Sequence, residues 1–128
     1  MAHVLLLEPD RVLAQTYCQA LTAAGHSVVP CASAQAAVLA ADDRRPDVVI
    51  LELQLIEHSG IEFLYEFRSY QEWQSLPVIA HTVVPFAEFD GCWPLLREQL
   101  GLREYLYKPH VSLRRLLAAV REAALVAA

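Results

Sequence analysis

Residues 48–60 read VVILELQLIEHSG: four consecutive apolar residues, Val48, Val49, Ile50 and Leu51, then a carboxylate, Glu52, then a polar run ending in Gly60. A strand that offers no polar face to water is the habit of a parallel strand covered by helices on both sides. Its carboxyl end is where open α/β sheets keep their ligands. Glu52 is therefore either a solvated strand end or a member of a site, and the segments around it have to decide.

Working outward, residues 3–7 form a short apolar strand that Glu8, Pro9 and Asp10 end in a turn able to cap a helix. Val12, Leu13, Tyr17, Ala20 and Leu21 then recur at helical spacing, with Gly25 placed for a left-handed C-terminal cap. A second strand over 27–32 is followed by Ser33 as an N-cap and an alanine-rich helix over 34–41. The polar stretch 42–47, with Pro46, is a connection. After the strand at 48–51 come a loop over 54–59 and a helix over about 60–70 that buries Ile61, Leu64 and Phe63 or Phe67. A fourth strand is expected at 77–81. Residues 83–93 are irregular, holding Pro85 and Gly91, and a helix is expected only over about 94–99. A fifth strand covers 103–107, and Ser112 caps a last helix with an apolar stripe of Leu113, Leu116, Leu117, Val120 and Ala124.

Five strands alternating with five helices imply a doubly wound parallel sheet with helices on both faces, in the flavodoxin-like order 2-1-3-4-5. That order brings Glu8, Glu52 and Lys108 to one switch point. The 128 residues suit a single domain over 1–128, and a hydrophobic fraction of 55% is ample for its core. No apolar run approaches the ~20 residues needed to cross a bilayer, so no membrane contact and a cytoplasmic location are expected. A net charge of −5 speaks against a nucleic-acid surface on this chain alone, although Arg114, Arg115 and Arg121 place some positive charge on the last helix. Cys18, Cys31 and Cys92 show no CxxC spacing and are expected to be unpaired thiols in apolar surroundings. His58, His81 and His110 fall near the same sheet edge but share no ligand motif, so solvated loop histidines are the expectation and a transition metal is not.

HVLLLEPD at 3–10, PDVVILELQLIEHSG at 46–60, LPVIAHTV at 76–83 and GLREYLYKPH at 101–110 stand in register across the chain. With these landmarks the sequence resembles the receiver domains of bacterial two-component response regulators, the CheY-like family, over nearly its whole length. The resemblance implies a phosphorelay chemistry. In the family, an aspartate ending strand 3 accepts a phosphoryl group, acids after strand 1 hold Mg²⁺, a lysine and a hydroxyl bind the phosphoryl oxygens, and an aromatic on strand 5 switches. On this chain those places fall to Glu52, to Glu8 and Pro9, to Lys108 and Thr82, and to Tyr105. Two of them depart from the pattern: Glu52 replaces the aspartate and Pro9 replaces the second acid.

Those departures set the functional expectation of an atypical, pseudo-receiver type. One lost carboxylate leaves Glu8 and Glu52 as poor ligands for an ion that demands near-octahedral oxygen, so Mg²⁺ affinity is expected to be weak or absent. The added methylene of Glu52 moves its carboxylate ~1.5 Å toward the volume an acyl phosphate would fill. Glu52 thus stands in for a phosphorylated side chain, or simply pairs with Lys108, or marks a decayed site. Asp10 is either an N-cap or a replacement ligand, and Thr82 and Tyr105 are either switch residues or ordinary strand-end side chains. The reading is a non-enzymatic protein-interaction module without cofactor. The rivals are a conventional phosphoacceptor and, from another class, a flavin carrier, which would want more hydroxyls and glycines than EPDRVLAQT supplies. The expected output face is formed by the fourth helix, fifth strand and fifth helix. Of Phe86, Phe89 and Trp93, one or two are expected to fill the core beneath this segment and the remainder to anchor, beside Arg114 and Arg115, a contact with a protein partner or a second copy of the chain.

Overall fold

A computed structural model describes residues 1–127. The elements run β1 (His3–Leu7), α1 (Arg11–Ala23), β2 (Ser27–Cys31), α2 (Ala34–Asp43), β3 (Val48–Leu51), α3 (Gly60–Ser69), β4 (Val78–Thr82), β5 (Leu102–Tyr107) and α4 (Leu113–Ala127). The strands form one parallel sheet in the order β2-β1-β3-β4-β5, as the alternation of elements implied.

Successive side chains of a strand point to opposite faces, and the two central strands feed two separate cores. Leu5, Leu7, Val49 and Leu51 pack with Ala37 of α2 and with Phe63, Leu64 and Phe67 of α3. Val4, Leu6, Val48 and Ile50 pack instead with Leu21 of α1 and with Leu116 and Val120 of α4. This double coverage explains the unbroken apolar reading of β3, all four residues of which are buried.

Local chemistry starts the helices where the sequence places them. The Leu13 N–H donates to Asp10 Oδ1 at 3.0 Å, the Ala36 N–H to Ser33 Oγ at 3.2 Å, and the Arg115 N–H to Ser112 Oγ at 3.1 Å. α3 opens with a reciprocal capping box between Ser59 and Glu62. Gly25, just past α1, takes φ +97°, a conformation that favours glycine.

Three expectations need correction. The fourth crossover is not an α-helix: two 3₁₀ turns, Phe86–Glu88 and Asp90–Cys92, lead into a π-helical turn at Leu95–Gln99. Pro85 and Pro94 each lack an N–H and Gly91 has no side chain to pack, so no regular i to i+4 ladder extends through the segment. The buried stripe of α4 is Leu116, Ala119, Val120 and Ala123, whereas Leu113 is exposed, so the inward face is rotated from the one expected. His81 lies in the fourth strand as expected, but it is buried rather than solvated, with its ring edge-on to Tyr17 at 4.9 Å.

Candidate functional site

Parallel strands that begin level also end level, and the carboxyl ends of β1, β3, β4 and β5 form the site. Glu52 directly follows β3, and its N–H continues the ladder to Leu7 O at 3.0 Å. Its side chain is 3% exposed, yet the carboxylate lacks no partner. Oε1 accepts from Lys108 Nζ at 2.7 Å and from the Val83 N–H at 3.1 Å. Oε2 accepts from the Thr82 hydroxyl and from the Gln54 N–H at 3.0 Å. Two donors on each oxygen match the acceptor capacity of a carboxylate, which makes its burial tolerable.

Lys108 follows β5 and reaches back across the sheet end. Its Nζ lies 2.7 Å from Glu52 Oε1 and 2.6 Å from Glu8 Oε1, with 10% of its side chain exposed. Burial by itself would raise the Glu52 carboxyl, but hydrogen bonds from Lys108, Thr82 and Gln54 outweigh it and hold the group below the usual carboxylate range. Burial would likewise lower Lys108, and the two carboxylates push it above the ordinary lysine value instead. Glu52 and Lys108 are therefore both ionised at neutral pH.

A divalent cation bridging Glu8 and Glu52 would need the position that the ammonium holds. Pro9 offers no side-chain oxygen, and Asp10 is turned to cap α1. The remaining oxygen of Glu8 accepts from the Asp10 N–H at 3.1 Å. This donor set does not fit the near-octahedral oxygen shell of Mg²⁺. Among the described residues no cluster of three or more His, Cys, Asp or Glu side chains is placed to hold a metal.

Thr82, fully buried at the end of β4, links the carboxylate to the opposite face. Its Oγ donates to Glu52 and accepts from the Val84 N–H at 3.1 Å. The Val84 carbonyl in turn accepts from the Tyr105 hydroxyl. Burial, with Glu52 and Glu88 nearby, pushes the Tyr105 phenol up, so it remains a donor. Phe86 and Trp93 pack edge-on against the Tyr105 ring, at 5.1 and 6.4 Å, and Phe89 tilts against it at 6.2 Å. All three are half-buried, so the segment packs each of them partly inward instead of dividing them into core and exposed residues. Two short turns, not a continuous helix, wrap them around one tyrosine.

The functional description of this constellation rests on its relatives. The family model of the response regulator receiver domain matches residues 4–121. The chain belongs to the response regulator receiver domain family. A curated relative, the KDP operon transcriptional regulatory protein KdpE of Escherichia coli, is 31% identical to the receiver over 109 residues, 85% of this chain and 45% of its own length. The polar-differentiation response regulator DivK of Brucella ovis is 27% identical over 118 residues and is covered to 92%, as is this chain. Among solved structures, the chemotaxis protein CheY4 of Vibrio cholerae superposes with a TM-score of 0.84 at 24% identity, covering 96% of this chain and 98% of that one. The receiver thus spans about half the length of some curated relatives it matches and nearly all of others.

Glu8, Glu52 and Lys108, expected together from the sheet order, are in contact, Thr82 joins them through Glu52, and Tyr105 connects to them only by way of Val84. Reading the sequence missed the backbone donors of Gln54 and Val83 and the carbonyl of Val84, since main-chain groups carry no residue signature. Gly60 does more than open α3. Its N–H donates to Leu53 O at 2.7 Å, and a Cβ there would lie 2.6 Å from Leu53 Cα. Only glycine lets α3 begin so close to the chain that carries Glu52.

Proposed function

We propose that this receiver is a phosphorylation-independent, non-catalytic signalling module of the cytoplasm, in which Glu52 permanently supplies the negative charge that a phosphorylated aspartate supplies transiently in its family. The observation that carries the reading is the saturation of Glu52 by Lys108, Thr82 and two backbone N–H groups. A carboxylate so engaged has no free lone pair for in-line attack on a phosphoryl group. Lys108, set between Glu8 and Glu52, supplies the positive charge that a magnesium ion would otherwise bring. Its partners are proteins rather than nucleic acid, given a net charge of −5. The contact is placed on the face of residues 83–99, β5 and α4, because the bond sequence from Glu52 through Thr82 and Val84 to Tyr105 ends beneath it. A partner protein or a second copy of the chain docks there.

Intact-mass analysis after incubation with acetyl phosphate and Mg²⁺ tests the first half. The unmodified mass is expected, whereas a substantial gain of one phosphoryl group that disappears in Glu52→Gln would overturn the reading. The double change Pro9→Asp with Glu52→Asp is expected to restore both Mg²⁺ binding and labelling.

A further inference from the structure

At the opposite end of the sheet from Glu52, a cavity of about 350 Å³ opens between the start of β4, the start of β5 and the end of α4. Arg68, Arg97 and Arg103 all line it, and no carboxylate side chain does. None of the three is in an ion pair among the described residues. In a chain with 15 acids against 10 bases, three unopposed guanidinium groups around one small cavity call for a ligand of negative charge.

The surroundings are built rather than fortuitous. Arg68, at the end of α3, donates from Nε to Leu100 O at 2.8 Å, from Nη1 to Trp73 O at 2.6 Å and from Nη2 to Gly101 O at 3.1 Å. Three carbonyls from two segments hold its charge in a fixed place. Gly101 has φ +67°, and a Cβ on it would lie 2.7 Å from Arg68 Nη2, so glycine is what allows the guanidinium against this turn. Arg103 sits on a bulge: Val78 pairs with Leu102 and Ile79 with Glu104, which leaves Arg103 as the unpaired extra residue. Bulges re-aim side chains, and this one turns a guanidinium stem inward. Its Nε is buried with no hydrogen-bond partner. Nε itself is therefore out of a ligand's reach, and the outer Nη groups, neither buried nor hydrogen-bonded, are the donors left for an acceptor in the cavity.

We propose that this cavity is a binding site for a small phosphate-type anion, in which Arg97 and Arg103 contact the oxygens and Arg68 contributes fixed positive charge. Guanidinium groups suit tetrahedral oxyanions because their N–H donors lie in a planar fork. The cavity is at the lower end of the size range of small-molecule sites, which fits inorganic phosphate or pyrophosphate. The site lies away from the Glu52 triad and does not depend on whether that triad accepts phosphate.

Amide chemical-shift titration of the full chain with sodium phosphate and with sodium pyrophosphate, each against sodium chloride at matched ionic strength, tests the proposal. Saturable shifts are expected at Arg97, Gly101, Leu102 and Arg103. Arg97→Gln and Arg103→Gln should each weaken binding about tenfold, the scale of one lost charge-assisted contact, and Glu52→Gln should leave it unchanged. Shifts no different from those in chloride, or equal affinity in the folded Arg97→Gln protein, would overturn it. Arg97 lies on an exposed turn, so its variant keeps the test decisive even where Arg103→Gln fails to fold.

Discussion

Glu52, Glu8 and Lys108 place three charges where water barely reaches, and each depends on the others. Removing one partner of a buried pair leaves an uncompensated charge, which costs more than the pair contributes. Lys108→Met, which leaves both carboxylates without their cation, is expected to destabilise the fold by about 3–5 kcal/mol at neutral pH, read from urea unfolding. The loss should shrink at acid pH as Glu52 protonates. An unchanged unfolding midpoint would mean that the ammonium contributes nothing to holding the acids.

The same residues dictate how stability follows pH. His81 is held down to about pH 4 by burial and by the Lys108 charge, with Glu52 opposing. A histidine that is neutral when folded and ordinary when unfolded binds fewer protons in the native state below pH ~6.5. Its contribution is therefore complete above that value and is lost as pH falls toward 4. Glu52, also lowered, adds a further loss below the usual carboxylate value of 4.5. Lys108, raised, acts in the other direction, and its contribution disappears only as pH climbs above 10.5. Unfolding midpoints measured from pH 7 to 4 should fall, with His81 accounting for ~2–3 kcal/mol by pH 4. His81→Phe should flatten the upper part of that slope, between about pH 6.5 and 4.5; an identical slope would assign the acid sensitivity elsewhere.

At the scale of elements, two connections carry the functional burden. The loop from Glu52 to α3 closes by a contact that tolerates no side chain at Gly60, where a Cβ would sit 2.9 Å from Glu52 O as well as against Leu53. Gly60→Ala should cost about 1–3 kcal/mol, the scale of forced overpacking, with the strain passed to Glu52. A variant as stable as the parent would show that α3 can shift without penalty. The other connection, residues 83–99, is held by short turns and an aromatic cluster instead of a helical ladder. Its amides in the turns Phe86–Glu88 and Asp90–Cys92 should exchange with deuterium at least ~10-fold faster than those of β3. Protection equal to that of the central strand would contradict the picture of a loosely bonded segment.

Considered as a whole, the molecule is a parallel sheet with its charge chemistry at one end and the Tyr105 aromatic cluster alongside. If Lys108 serves in place of the metal, Mg²⁺ should bind the folded state no better than the unfolded one. Addition of Mg²⁺ to ~10 mM should then leave the melting temperature within about 1 °C, because only preferential binding to the native state raises it. A clear upward shift would mean that Glu8 and Glu52 accept the ion after all.

The alternation of apolar strands with capped helices implies a parallel sheet covered on both faces, because right-handed crossovers leave few alternatives, and of the common strand orders the expected 2-1-3-4-5 is the one found. The same order puts Glu8, Glu52 and Lys108 at one sheet end, so the identity of the meeting residues was legible from their positions alone. The sequence also determined that no regular helix could cross residues 83–93, since Pro85 and Gly91 are local facts of the chain. Other features were decided only in three dimensions. Whether the Glu52 oxygens would be saturated depended on the main-chain N–H groups of Gln54 and Val83, which every residue but proline possesses. Whether Phe86, Phe89 and Trp93 would face solvent depended on how a broken segment folds over Tyr105, because their helical spacing says nothing once no continuous helix forms. The rotation of α4 that exposes Leu113, and the bulge that turns Arg103 inward, arise where neighbouring elements fit together. Periodicity and capping are written locally along the chain, whereas rotation, register and satisfaction are settled by packing between segments far apart in it.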